Sequence, residues 1–95
     1  MAKRKDLPKK GELYQTTIKV LLNSSVSMLG SSIAYEKRFL EKGEVLLVVN
    51  PSHFVDKTKS MKFIEMVAGD GGMIYADSST WNNIYFEKVF ERVNS

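Results

Sequence analysis

Alternation of apolar and polar positions with a period of two runs through most of this chain. Tyr14, Thr16, Ile18, Val20 and Leu22 fall on one face of an extended segment and Gln15, Thr17 and Lys19 on the other, which predicts a first strand over residues 14–22. Asn23, Ser24 and Ser25 break it. Residues 26–35 interleave Ser and Gly with Met28, Leu29 and Ile33, a composition suited to a long folded-over loop or an irregular hairpin. Residues 36–41 are rich in Glu, Lys, Arg and Leu and favour a helical turn. Lys42, Gly43 and Glu44 then make a turn ahead of Val45-Leu46-Leu47-Val48-Val49, a run apolar on both faces and therefore expected in mid-sheet. Asn50 and Pro51 end that run and leave His53 in a loop reaching residue 60.

The second half reads as a hairpin and a closing strand. Over residues 61–68, Met61, Phe63, Glu65 and Val67 share one face, with Ile64 and Met66 on the other. Gly69-Asp70-Gly71-Gly72 supplies the positive φ that a tight hairpin turn requires, and residues 73–76 return. Residues 77–83 form a polar turn or a single 3₁₀ turn, and residues 84–90 the last strand. The pattern predicts a mostly β chain with five strands.

Charge divides the chain more sharply than hydropathy does. Lys3, Arg4, Lys5, Lys9 and Lys10 are five of its fourteen basic residues; Asp6 is the one acid among the first ten positions, so that stretch carries +4 and the remaining 85 residues −1. Residues 1–11, broken by Pro8 and Gly11, are too polar to offset their ordering entropy and read as a flexible basic arm before a single domain over residues 12–95. The absence of cysteine excludes disulfides, thiolate metal sites and thiol nucleophiles, and suits a cytoplasmic setting. The first ten residues do not read as a signal peptide, and the longest apolar run is far short of the ~20 residues that span a bilayer. Neither a membrane nor a cofactor is expected.

From Phe39 onward the order of elements resembles the Src-homology-3 (SH3) barrel. Phe39-Leu40-Glu41-Lys42-Gly43-Glu44-Val45-Leu46-Leu47-Val48 is similar to that family's Lys-Gly-Asp/Glu approach to its second strand. Phe63-Ile64-Glu65-Met66-Val67 and Gly71-Gly72-Met73-Ile74-Tyr75 are similar to its third and fourth strands, and Phe86-Glu87-Lys88-Val89 to its closing strand. The resemblance implies a small five-stranded barrel. It does not imply the family's proline-peptide groove. The first loop here holds Ser31-Ser32-Ile33-Ala34-Tyr35, the third strand opens on Met61-Lys62, and the 3₁₀ region is Ser78-Ser79-Thr80-Trp81. Small size, lack of cysteine and idiosyncratic loops resemble phage or prophage accessory proteins, whose setting is the host cytoplasm.

Candidate chemistry is confined to binding. Trp81 lies in a polar turn with Tyr75 and Tyr85 close in sequence, and in the barrel that turn packs beside the first loop, which holds Tyr35. Trp81 either caps the barrel from within or stands on an exposed ledge, where aromatics act as interaction hot spots. With His53, these four aromatics make the expected partner-binding set. The basic arm, through Lys3, Arg4, Lys5, Lys9 and Lys10, gives the alternative: salt-dependent binding of nucleic acid without base reading. No catalytic constellation is visible. His53 is the sole histidine, with Asp56 the nearby acid; the paired serines are turn formers, and Gly69-Asp70-Gly71-Gly72 lacks the ending of a phosphate cradle. The expectation is a non-catalytic module that binds a protein.

Overall fold

The predicted first strand breaks at Thr16. Its hydroxyl donates to the Glu41 carbonyl (2.7 Å) and accepts from the Glu44 N–H (3.0 Å). Its own N–H reaches the Glu44 carbonyl (3.0 Å), and its carbonyl accepts from the Gly43 N–H (2.9 Å). These bonds pin one buried residue to the turn at residues 41–44 and divert the chain, so residues 14–22 are not one strand but parts of two: β1 (Leu13–Thr16) and β2 (Val20–Leu29). The turn takes its shape from Gly43, at φ 91°, a backbone conformation that side-chain-bearing residues rarely adopt.

The computed structural model describes residues 8–56, 58, 61–81 and 89–93. Beyond β1 and β2 it contains β3 (Ser32–Leu40), β4 (Val45–Phe54), β5 (Lys62–Ala68), β6 (Met73–Asp77) and β7 (Phe90–Arg92), with one helical turn at Ser78–Trp81. The strands form a single antiparallel sheet in the order β3-β2-β6-β5-β4-β1-β7. Among the described residues there are thus seven strands rather than five. Of the two readings of residues 26–35, the irregular hairpin holds and the loop does not; the expected helical turn at residues 36–41 is instead the end of β3, with β2 and β3 paired from Val20↔Leu40 to Leu29↔Ser32. Helix propensity at residues 36–41 gives way because Leu40, fully buried, must alternate with outward-facing Phe39.

β4 also outruns its expected end. It passes through Pro51 and carries His53 within the strand rather than in a loop. Register shifts at Val48/Asn50 and Asn50/His53 make this possible, since proline fits a sheet where the ladder is bulged. The β5–β6 hairpin is as expected: Gly71 lies at φ 86°, and the Ala68 N–H donates to the Gly72 carbonyl at 2.8 Å. Of the expected closing strand, residues 84–88 lie outside the described residues.

The core lies on one face of this curled sheet. Leu46 and Val48 from β4, Ile64 and Met66 from β5, and Ile74 and Ala76 from β6 pack with Val20, Leu22 and Leu40; Trp81, Val89 and Phe90 close one end. β4 is an inner strand, but only one of its apolar faces is covered: Leu46 is 0% exposed and Leu47 37%. Leu47 is therefore not a core residue. The described end of the basic arm is part of the fold. Pro8 is buried, the Gly11 N–H donates to the Val48 carbonyl (2.8 Å), and the Val48 N–H donates to the Glu12 carbonyl (2.9 Å). Residues 1–7 lie outside the described residues. Among those described, no helix is long and apolar enough to cross a membrane.

Candidate functional site

Alternation along β5 sends Ile64 and Met66 into the core and Phe63, Glu65 and Val67 to the opposite face. Strand pairing then sets their neighbours. Phe63 stands opposite His53 and Asp77; Glu65 stands opposite Asn50 and Tyr75; Tyr75 stands opposite Asn23. Phe63 faces away from the core and is still 0% exposed.

One of the groups against it is Tyr35. β3 lies three strands from β5, roughly 14 Å in a flat sheet. Yet the Tyr35 and Phe63 rings meet edge to face at 6.4 Å. The hairpin must bend over this face, and the register shift between Asn23 and Ser25 supplies the bend: one extra residue on β2 raises the local twist.

The polar groups beside this aromatic floor are mostly acceptors. The Tyr75 hydroxyl donates to Glu65 Oε2 at 2.9 Å. Burial, then the bond to Glu65 and its charge, push the Tyr75 hydroxyl above its ordinary range. His53 Nδ1 stands 3.9 Å from Glu65 Oε1, and its ring centre is 5.2 Å from that of Tyr75. Asn23 Oδ1 is buried with no hydrogen-bond partner. The Glu65 carboxylate, beside half-exposed aromatic rings, can receive N–H donors from a ligand.

Tyr35, His53 and Tyr75, expected separately in the sequence, therefore assemble on one face. Trp81 does not join them. It is 6% exposed on the core side, stacked on Phe90 (5.2 Å, 22°) and edge-on to Tyr14 (5.1 Å). The helical turn aims its large apolar ring into the open end of the core, so the exposed-ledge reading is corrected. Tyr85 lies outside the described residues, as do Lys3, Arg4 and Lys5. Lys9 and Lys10 are exposed on the turn before β1.

Glu65, Phe63 and Asn23 were not singled out from the sequence. The face alternation of residues 61–68 pointed to the first two, whereas Asn23 carried only a strand-break signal. Strand pairing also brings Glu65 to 3.9 Å from His53 Nδ1, an acid that nearness in sequence, which pointed to Asp56, did not reveal.

A second polar cluster serves the fold. Glu12 accepts from the Lys9 N–H (2.8 Å) and the Tyr14 hydroxyl (3.1 Å) and pairs with Arg92 (3.4 Å). The Lys9 N–H first, with help from Tyr14 and Arg92, holds the Glu12 carboxyl below its ordinary range. Burial, followed by the Glu12 charge, pushes Tyr14 up to about 12. Among the described residues no group of three His, Asp or Glu side chains is placed to hold a metal ion. No protein-family model matches the chain, and neither does a curated protein or a solved structure.

Proposed function

We propose that the chain is a non-catalytic, SH3-like binding module that takes a protein segment on the face around Tyr35, His53 and Tyr75. The order of elements supports the fold reading: a first strand, a long folded hairpin, a Lys-Gly-Glu turn, a late tight hairpin, one helical turn and a short last strand. The observation that carries the functional reading is convergence. Three side chains far apart in sequence share one face: Tyr35 packs against Phe63, and His53, which stands opposite Phe63 on the next strand, packs against Tyr75. Half-exposed tyrosines over a rigid floor are typical interaction anchors.

The partner is not a proline-rich peptide of the SH3 kind, because the tryptophan such a groove needs would open the third strand, where Met61 and Lys62 stand, and Trp81 is buried. In the phage-accessory reading the partner is a host cytoplasmic protein. The alternative, nucleic acid held by Lys3, Arg4, Lys5, Lys9 and Lys10, is separated by the same experiment. Affinity capture from the native host, with and without nuclease, is run with the native chain and with Tyr35→Ala and His53→Ala. The expected result is a nuclease-resistant protein partner, lost in both variants while their melting temperatures stay near that of the parent. Capture that vanishes with nuclease, or that ignores both substitutions, overturns the reading.

A further inference from the structure

Two aromatic rings on β3 are each accompanied by a lysine. Phe39 is the most exposed aromatic among the described residues, at 59%, and the Lys19 ammonium lies 4.9 Å from its ring centre. Tyr35 is 43% exposed, with the Lys37 ammonium 5.9 Å from its ring centre. Tyr35, Lys37 and Phe39 alternate at period two and so share one face of the strand. Leu21, directly opposite Phe39 on β2 and itself half-exposed, extends the apolar shelf. Glu36 and Arg38 alternate to the other face; Glu41 stands 3.8 Å from Lys19, and Glu65 lies on the same face farther along, beside Tyr75.

We infer that this face of the β2–β3 hairpin binds single-stranded nucleic acid, with Phe39 and Tyr35 as base platforms and Lys19 and Lys37 as phosphate contacts. Four residues of strand separate the two rings by about 13 Å. That distance spans about four stacked nucleotides at 3.4 Å each, fewer when the bases are splayed. Aromatic rings receive any base by stacking, and lysines between them follow the backbone charge, the combination used by strand binders without sequence preference. A protein partner would gain from the rings but not from this alternation of ring and cation; a duplex would offer phosphates but no open base faces. The inference shares Tyr35 with the protein-binding reading and is tested apart from it at Phe39 and Lys19, which lie outside the Tyr35–His53–Tyr75 cluster.

Fluorescence anisotropy of labelled 12-nucleotide oligo-dT and oligo-U, with a duplex of equal length, tests it on the full chain in low salt. Phe39→Ala is expected to weaken single-strand binding about fivefold or more, with unchanged thermal stability. Lys19→Gln and Lys37→Gln are each expected to reduce the log–log salt slope by about 0.7. Glu41→Gln is expected to tighten binding, since it frees Lys19. The arm is neutralised separately by replacing Lys3, Arg4 and Lys5 together with Gln; the Phe39→Ala effect is expected to persist in that background. No single-strand binding, equal or tighter duplex binding, an affinity indifferent to Phe39→Ala, or complete loss on neutralising the arm overturns the inference. None of these outcomes bears on protein capture through His53.

Discussion

Removing the Trp81 ring is the most direct test of where the core ends. The ring is stacked on Phe90 and edge-on to Tyr14, and nearly all of its surface is buried. Truncating such a residue to alanine costs about 3–5 kcal/mol through lost burial and the cavity left behind. The two ring contacts, each worth about 0.5–1.5 kcal/mol beyond area, sit within that figure. A chain of 95 residues has a total stability of about 5–14 kcal/mol, so Trp81→Ala removes between a fifth and nearly all of it. At about 4–8 °C per kcal/mol, a loss of 3 kcal/mol lowers the melting temperature by about 12–24 °C. Urea titration followed by far-ultraviolet circular dichroism measures the change, because the variant loses the chain's sole tryptophan and with it the fluorescence signal. Trp81→Phe keeps a ring against both partners and is expected to lose less. A Trp81→Ala protein within about 0.5 kcal/mol of the parent would refute the core assignment, since only surface positions tolerate truncation so well. The ring would then return to the partner-binding set.

Thr16→Val removes the hydroxyl that serves both the Glu41 carbonyl and the Glu44 N–H, and is expected to cost about 1–3 kcal/mol in urea unfolding, with Thr16→Ser recovering most of it. Leu46→Glu buries an unpaired charge and is expected to leave little folded protein, whereas Leu47→Glu, one residue along on the uncovered face, folds and stays soluble; circular dichroism of both variants checks the contrast. Tyr14 gives the chain an alkaline limit. Unfolded tyrosine ionises near pH 10 and folded Tyr14 near 12, so between these values only the unfolded chain sheds the proton. Stability is full below pH 10 and falls toward pH 12. Tyr14→Phe is expected to flatten that fall in urea midpoints measured from pH 8 to 11.5, though not wholly, because Tyr75 is shifted in the same direction.

What the sequence showed was local. The β5–β6 hairpin was legible because alternation on both sides and Gly71 in the turn pointed to one geometry. The Lys42-Gly43-Glu44 turn was legible for the same reason. The break at Thr16 was not, because its partners lie 25 and 28 residues downstream and the chain around it still alternates. β3 was obscured by residues that favour helices locally and become a strand only by pairing with β2. Pro51 falsely closed β4, since a bulge that tolerates proline leaves no mark in the pattern. At the site, Tyr35, His53 and Tyr75 stood out as residue types, but their gathering on one face depends on the bend at Asn23/Ser25 and on register. Trp81 was ambiguous because a polar turn of four residues can present its last side chain inward or outward.

The uncovered face of the sheet turns one of those misreadings into a functional signal. A run apolar on both faces marks a strand that is covered twice. Here β4 is covered once. Its second apolar set aligns with its neighbours: Leu13 on β1, Leu47 on β4, Val67 on β5 and Met73 on β6 stand opposite one another in a single row. The row runs beside Glu65 and Tyr75 and leads toward Phe63, where the bent hairpin supplies Tyr35. A sheet needs no such row on a purely solvated face, where alternation would place polar residues. Contiguous exposed apolar surface of this kind marks contact with another molecule. In the proposed reading, core and contact surface are thus written in the same strands at opposite parity. Leu47→Glu separates them: it is expected to leave the fold intact and to weaken capture of the protein partner, and a folded Leu47→Glu chain that captured it undiminished would confine the contact to the Tyr35–His53–Tyr75 cluster.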